Sequence, residues 1–317
     1  MKISVLGAGR WASFIAWYLN KIGLDVTIWG RSSSKRLQKL ILERKNDYLT
    51  IPDSISITDN LYEAVSNSNI IVISISAQSL RDLMQSLKNY DLNNKIIVLC
   101  MKGIEASSGK LLTDVAKEFV DIPIAVWMGP GHVQDFIKGI PNCMVIDSSD
   151  DSVKRKLVKL FSSDLIRFYF GTDLIGNEIG AAAKNVIGIA AGMLDGLGYG
   201  SLKGALMSRG TREIARLIKA MGGNEISAYG LCHLGDYQAT LFSEYSHNRK
   251  FGEAFVLGEN YDKLAEGVPT CEALVLLGEK FNVDLPICCA VKSIINLKQK
   301  PYVALSKLFM RSLKDEF

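Results

Sequence analysis

The opening stretch "KISVLGAGRWASFIAWYLNKIGLDVTIWGR", Lys2 to Arg31, constrains the fold more than any other part of this chain. A short apolar segment, Lys2 to Leu6, runs into Gly7 and Gly9, and Trp11, Phe14, Ile15, Tyr18, Leu19 and Ile22 then recur at helical spacing. Leu24 to Arg31 reads as a second strand, so the glycines sit inside a strand, turn, helix, strand unit of about 30 residues. Gly7 permits a tight turn, Gly9 lets backbone approach a pyrophosphate, and the helix N-terminus offers N–H groups to its charge. Ala12 occupies the third glycine position, which needs only close packing of helix on strand. The unit predicts a dinucleotide site.

Strand patterns follow at "NIIVISIS", "KIIVLCMKG", "IAVWMGPG", "CMVID" and "IRFYFG", with helical patterns such as "SLRDLMQSLKNY" between several of them. That alternation predicts an α/β fold, a Rossmann-like, doubly wound, largely parallel sheet over residues 1–175. Ligands of such sheets lie beyond the carboxyl ends of the strands, where Lys102 in "CMKG" and Gly129 to Gly131 in "MGPG" fall. From about residue 175 the pattern turns to long helical segments, so residues 176–317 are expected to form an all-helical C-terminal domain that shares one cleft with the first.

The second strand ends in Gly30 and Arg31, with Lys35 and Arg36 close behind, in place of the acidic residue that would hold a ribose 2'-hydroxyl and repel a 2'-phosphate. NADPH is therefore expected to be accepted at least as well as NADH. A net charge of +4, from 37 basic and 33 acidic residues spread along the chain, suits small anionic ligands and lacks the concentrated basic stripe of a nucleic-acid binder. The six cysteines show no C-x-x-C spacing and the chain has only three histidines, so no metal site is expected and the thiols read as reduced, in a cytoplasm. No segment reaches the roughly 18 apolar residues of a membrane span.

A second feature concerns chemistry. "EIGAAAKNVIGIAAGMLDGLGYG", Glu178 to Gly200, places one lysine in a Gly/Ala-rich apolar run. On a helix Lys184, Gly188, Ala191 and Asp195 share a face, which is expected to be open, with lysine and aspartate separated by small residues.

These residues carry a resemblance. "GAGRWA" at Gly7, "MKGIE" at Met101, "GPGH" at Gly129, "AAAKNVIGIAAGMLDGLGYG" at Ala181, "SRG" at Ser208, "HLGDY" at His233, "SHNRKFG" at Ser246 and "AEGVPT" at Ala265 together resemble the NAD(P)-dependent sn-glycerol-3-phosphate dehydrogenase family. The resemblance runs nearly end to end. It implies reversible reduction of dihydroxyacetone phosphate with NAD(P)H, which supplies glycerophospholipid synthesis. The sequence does not give the oligomeric state, and a homodimer is a guess.

By this resemblance Lys184 is the general acid, desolvated so that its pKa falls toward the operating pH. Lys102 is the second active-site lysine, touching substrate and cofactor, and Asp236 orients Lys184. The resemblance places Gly7, Gly9, Arg10, Trp11, Arg31, Lys102, Val133, His247 and Glu266 against the cofactor. It places Lys102, Gly129, Gly131, Lys184, Asp236, Ser246, His247, Asn248 and Arg249 against the substrate. Two departures stand out: Gly131 replaces the usual serine after G-P, and His247 replaces the first arginine of S-R-N-R, which removes a guanidinium fork from the phosphate site. Backbone donors of His247 and Asn248 survive that change, and Arg249 is a candidate to swing in. The His247 departure also keeps open a same-fold dehydrogenase of another anionic hydroxy acid, and a sensor paralogue that binds dinucleotide without turnover.

Overall fold

The computed structural model describes residues 1–313 and 315. The chain divides into two compact units, Met1–Lys102 with Lys110–Glu178, and Gly103–Gly109 with Ile179–Phe317. The boundary expected at 175 falls one residue into a helix that begins at Leu174, and nothing in the sequence pattern marked residues 103–109 as part of the second unit.

In the first unit, strands β1 (Lys2–Leu6), β2 (Asp25–Trp29), β3 (Ser56–Thr58), β4 (Ile70–Ile73), β5 (Ile96–Leu99), β6 (Ile124–Met128), β7 (Asn142–Ser148) and β8 (Ile166–Phe170) form one sheet in the order β3-β2-β1-β4-β5-β6-β7-β8. Every neighbouring pair is parallel except β6 and β7. The helices here are α1 (Arg10–Lys21), α2 (Lys35–Glu43), α3 (Leu61–Ser66), α4 (Leu80–Leu87), α5 (Leu112–Lys117), α6 (Val133–Ile137) and α7 (Asp151–Phe161). β4 and β5, "IIVI" and "IIVL", are buried at every residue, as central parallel strands covered on both faces must be. The β6–β7 exception follows from their link, which carries only the five-residue α6 and so lacks the full helix of a parallel crossover. β3, at three residues, is too short to show a period in sequence.

Aromatic packing fixes α1 to the sheet: Phe14 stacks on Phe136 at 4.8 Å, and Trp127 meets Tyr18, Phe161 and Phe168 at 6.0, 5.5 and 4.9 Å. The sheet order reverses between β1 and β4, so the crevice beyond their carboxyl ends is the ligand position of the fold. Gly7 opens it. Its φ is +140°, and a Cβ there would lie 2.2 Å from the carbonyl oxygen of Ser74, just beyond β4.

The regular elements of the second unit are helical: most of α8 (Leu174–Gly196), then α9 (Lys203–Ala220), α10 (His247–Leu257), α11 (Gly267–Lys280), α12 (Pro286–Leu297) and α13 (Pro301–Phe309), joined in places by 3₁₀ turns and one π-helical turn at Gln238–Phe242. α8 is buried without a break from residue 178 to 194.

The expected open face on α8 is not there. Gly188, Gly192 and Gly196 receive other chain segments: a Cβ at Gly188 would sit 2.7 Å from Thr240 Cγ2, one at Gly192 1.8 Å from the Arg249 carbonyl oxygen, and one at Gly196 2.4 Å from Val256. Gly252 answers from α10, where a Cβ would meet the Ile189 carbonyl oxygen at 2.1 Å. The small residues therefore let two helix backbones touch; they do not keep a channel clear. The stripe spaced by four residues carries the same signal for both purposes, which is why sequence alone misassigned it.

Two buried carboxylates brace the units. Glu178 accepts from Thr113 N and Oγ1, and Glu213 on α9 accepts from the N–H groups of Ile287 and Cys288, capping α12 from outside. Burial pushes both up from 4.5 to about 7. The folded protein thus holds these protons more tightly than the unfolded chain. Their contribution is fully present below about pH 4.5 and is lost as pH rises through 7. The melting temperature should accordingly fall between pH 5 and pH 8 in calorimetry, and Glu178→Gln with Glu213→Gln should flatten that slope. Gly192→Ala should cost about 3 kcal/mol or more in denaturant unfolding, because the carbonyl it meets belongs to backbone that cannot step aside.

Candidate active site

Lys184 cannot reach water by extending along α8, because its side chain is only 9% exposed. Its ammonium instead donates to Asp236 Oδ2 at 2.7 Å and to Thr240 Oγ1 at 2.8 Å. Asp236, 1% exposed, closes the 3₁₀ turn Leu234–Asp236, and Thr240 sits in the π-helical turn that follows. The Thr240 hydroxyl donates to the Asp236 carbonyl oxygen at 2.8 Å, which leaves its oxygen lone pairs for the lysine. Such π turns place an extra residue per turn and recur where side chains must be re-aimed.

His233 anchors this turn to α8. Its Nδ1 pairs with the Gly180 carbonyl oxygen at 2.8 Å and its Nε2 with the Tyr237 hydroxyl at 2.7 Å. Burial first, and then the nearby Lys184 charge, hold its pKa down at about 4. The ring is therefore neutral, with Nδ1–H donating to Gly180 and Tyr237 O–H donating to Nε2, and it adds no second positive charge beside the lysine.

Two helix N-termini approach the same stretch of α8. A Cβ at Gly188 would lie 3.5 Å from Asn248 Cβ at the start of α10, and one at Gly267 would lie 2.8 Å from the Asn185 carbonyl oxygen, at the start of α11. Asn248 Oδ1 accepts from Gly267 N at 2.9 Å, tying the two starts together. Ser246 caps α10 by accepting from Arg249 N. The first-turn N–H groups of α10, those of His247 and Asn248, have no preceding helical carbonyl and face the end that carries partial positive charge. The His247 ring pairs through Nδ1 with the Tyr261 hydroxyl at 2.5 Å. Glu266 stands at the N-cap of α11.

Arg249 is the clear departure from expectation. Its guanidinium donates to Asp195 Oδ2 at 2.6 Å, meets Glu253 at 3.2 Å and donates through Nε to the Ser243 carbonyl oxygen. Lys203 donates to the same Asp195 oxygen at 2.6 Å. An arginine held by two carboxylates and a carbonyl braces α10 against α8, and it does not swing to a phosphate without breaking that cluster. Asp195, expected on an open face with Lys184, is the hub of this brace.

In the first unit, the Gly9 turn fits a dinucleotide pyrophosphate. No side chain caps α1, and among the described residues beyond its chain neighbours the only atom within 4 Å of a Cβ built at Gly9 is an Arg36 guanidinium nitrogen at 3.7 Å. The Trp11 indole N–H is buried without an acceptor, a donor that a bound cofactor can satisfy. Arg10 lies over the Tyr48 ring at 5.5 Å, and Arg31 is exposed beyond β2. Lys102 Nζ donates to the Gly129 carbonyl oxygen at 2.5 Å. Gly129 and Gly131 have φ of +124° and +154°, and a Cβ at Gly131 would overlap Phe136, so this backbone excludes the serine that the family often has there. Val133 packs its side chain into the core and keeps only its backbone for a ligand. Among the described residues no helix is long and apolar enough to cross a membrane, and no group of three His, Cys, Asp or Glu could hold a metal ion.

A sequence model for the N-terminal part of NAD-dependent glycerol-3-phosphate dehydrogenase matches residues 2–154, and one for its C-terminal part matches residues 173–306. The chain belongs to that family. Relatives named glycerol-3-phosphate dehydrogenase [NAD(P)+] include those of Fusobacterium nucleatum, 35% identical over 100% of this chain and 98% of the relative, and Thermoanaerobacter sp., 36% identical over 100% and 99%. The crystal structure of glycerol-3-phosphate dehydrogenase from Coxiella burnetii superposes with a TM-score of 0.91 at 26% identity, covering 98% of this chain and 99% of that one. D-mandelate dehydrogenase, at 16% identity and a TM-score of 0.65, shares the fold alone.

Thr240 and Tyr261 escaped the sequence reading. Thr240 had a signal, since it falls four residues after Asp236 in "DYQAT". Tyr261 had none.

Proposed function

We propose that this enzyme reversibly reduces dihydroxyacetone phosphate to sn-glycerol 3-phosphate with NAD(P)H, supplying glycerophospholipid synthesis. The observation that carries the reading is Lys184, buried on α8 and held by Asp236 and Thr240, in a chain whose relatives bear the name of that enzyme. Bound NAD(P)H supplies the hydride. The Lys184 ammonium meets the oxygen on which negative charge develops and gives it a proton; in the reverse direction the neutral amine takes that proton back. Asp236 and Thr240 fix the direction of its N–H groups. Lys102 contributes a second positive charge to substrate and cofactor.

The substrate phosphate sits at the start of α10, against the N–H groups of His247 and Asn248, where the helix end and Lys184 both favour an anion. Gly7, Gly9 and Trp11 would hold the cofactor pyrophosphate. Arg31 and Arg36 would hold a 2'-phosphate, in keeping with the absence of an acidic residue at the end of β2. All six cysteines are free thiols, which supports a reducing cytoplasm.

Following NADPH and NADH oxidation at varied dihydroxyacetone phosphate tests the whole reading. Saturable turnover is expected, with a Michaelis constant for NADPH no higher than that for NADH; a strong NADH preference would remove the assignment of Arg31 and Arg36. Lys184→Ala should lower kcat by about 10²- to 10⁴-fold with cofactor binding retained, whereas Lys102→Ala should also raise the Michaelis constant for the triose. An unchanged kcat in Lys184→Ala would withdraw the acid/base role.

A further inference from the structure

The segment after α10 returns along that helix. Gly258, at φ +74°, ends α10 in the left-handed conformation, and Glu259 N donates back to the Ala254 carbonyl oxygen at 2.9 Å. Tyr261 then lies edge-on to Phe251, with ring centroids 6.2 Å apart. Its hydroxyl reaches Nδ1 of His247, one residue past the cap of α10. The chain goes on to Gly267, whose N–H is taken by Asn248. A phenol 14 residues downstream of His247 is thereby carried to the N-terminal turn of α10.

A phosphate at that turn needs donors beyond the backbone. Arg249 is held by Asp195 and Glu253, and the imidazole at position 247 lacks the fork of a guanidinium. The phenol makes up the difference. In the tautomer whose Nδ1–H donates to the Tyr261 oxygen, the phenol acts as a donor in its turn, and an O–H donating to a phosphate oxygen is a short, charge-assisted bond.

The geometry points to Tyr261 as a phosphate-binding and specificity residue: its hydroxyl, held by His247, donates to the phosphate of the triose substrate at the start of α10. The inference rests on the function proposed above and names a contact that the reading did not contain. The two residues act as a unit, so the pair takes the place of the arginine that this chain lacks. Both side chains are partly exposed, as a substrate contact requires.

Tyr261→Phe tests it, since the ring that packs on Phe251 is kept and only the hydroxyl is lost. Wild type and variant are assayed with dihydroxyacetone phosphate, with dihydroxyacetone, which has no phosphate, and with inorganic phosphate as a competitive inhibitor. The Michaelis constant for the phosphorylated triose and the inhibition constant of inorganic phosphate should both rise about ten-fold, the loss of one bond to a charged group. The kcat, the Michaelis constant for NADPH and the use of dihydroxyacetone should stay within about two-fold. In a cycle with His247→Ala, the double variant should lose less than the product of the two single losses. Unchanged constants for both phosphate ligands, or an equal loss with dihydroxyacetone, would overturn the assignment of Tyr261 alone. A wild type without turnover of dihydroxyacetone phosphate overturns this assignment together with the proposed function.

Discussion

An ammonium taken out of water costs several kcal/mol unless an anion and further acceptors receive it, and Lys184 is taken out of water on a helix buried for its whole central length. Asp236 and Thr240 are those acceptors, and neither lies near Lys184 in sequence. Much of the second unit can be understood as the structure needed to deliver them. The 3₁₀ and π-helical turns from Leu234 to Phe242 bend a single segment so that a carboxylate and a hydroxyl four residues apart both face one amine. His233 and Tyr237 clip that segment to α8 through the Gly180 carbonyl, with a neutral ring that leaves the lysine the positive charge of the cluster.

Close backbone approach makes this delivery possible. Gly188 admits Thr240, Gly192 and Gly252 let α8 and α10 touch, and Gly267 brings the start of α11 onto Asn185. Larger residues would hold each segment a side chain's width away, and the hydrogen bonds to Lys184 would not form. The Asp195, Lys203 and Arg249 cluster then locks the crossing at the far end of α8, and its hydrogen bonds to the carbonyls of Leu241 and Ser243 reach the segment that carries Thr240. Stability and chemistry are coupled here through geometry: the ion pairs that hold α10 in place also decide where its N-terminal turn, with His247 and Asn248, comes to lie.

The first unit solves a different problem with different means. A pyrophosphate needs bare backbone N–H groups at a helix start, so the turn between β1 and α1 is kept free of side chains by Gly7 and Gly9, and Trp11 offers an indole N–H with no acceptor of its own. The reversal of strand order between β1 and β4 puts the fold's ligand crevice beside that turn, and the aromatic contacts of Phe14 with Phe136 and of Tyr18 with Trp127 anchor α1 next to it.

Sequence alone was sufficient for whatever depends on short-range pattern. The glycine turn between two apolar strands, the alternation of strand and helix in the first half, the long helical periods of the second, and the places of Lys184 on its helix and Lys102 after its strand were all legible, because each is a matter of residue type at a local spacing; Asp236 came from the family resemblance alone. The sequence reading missed β3, the reversed β7 and the seven residues 103–109 that join the second unit, where segments are too short for a period or where direction is set by what they pair with. It also mistook the purpose of the glycine stripe on α8 and freed an arginine that is bound. Only tertiary structure decided those points, and only it brought Thr240 to Lys184 and Tyr261 to His247. A hydrogen bond between side chains 56 or 14 residues apart depends on the path of the backbone between them, and no spacing rule carries that path.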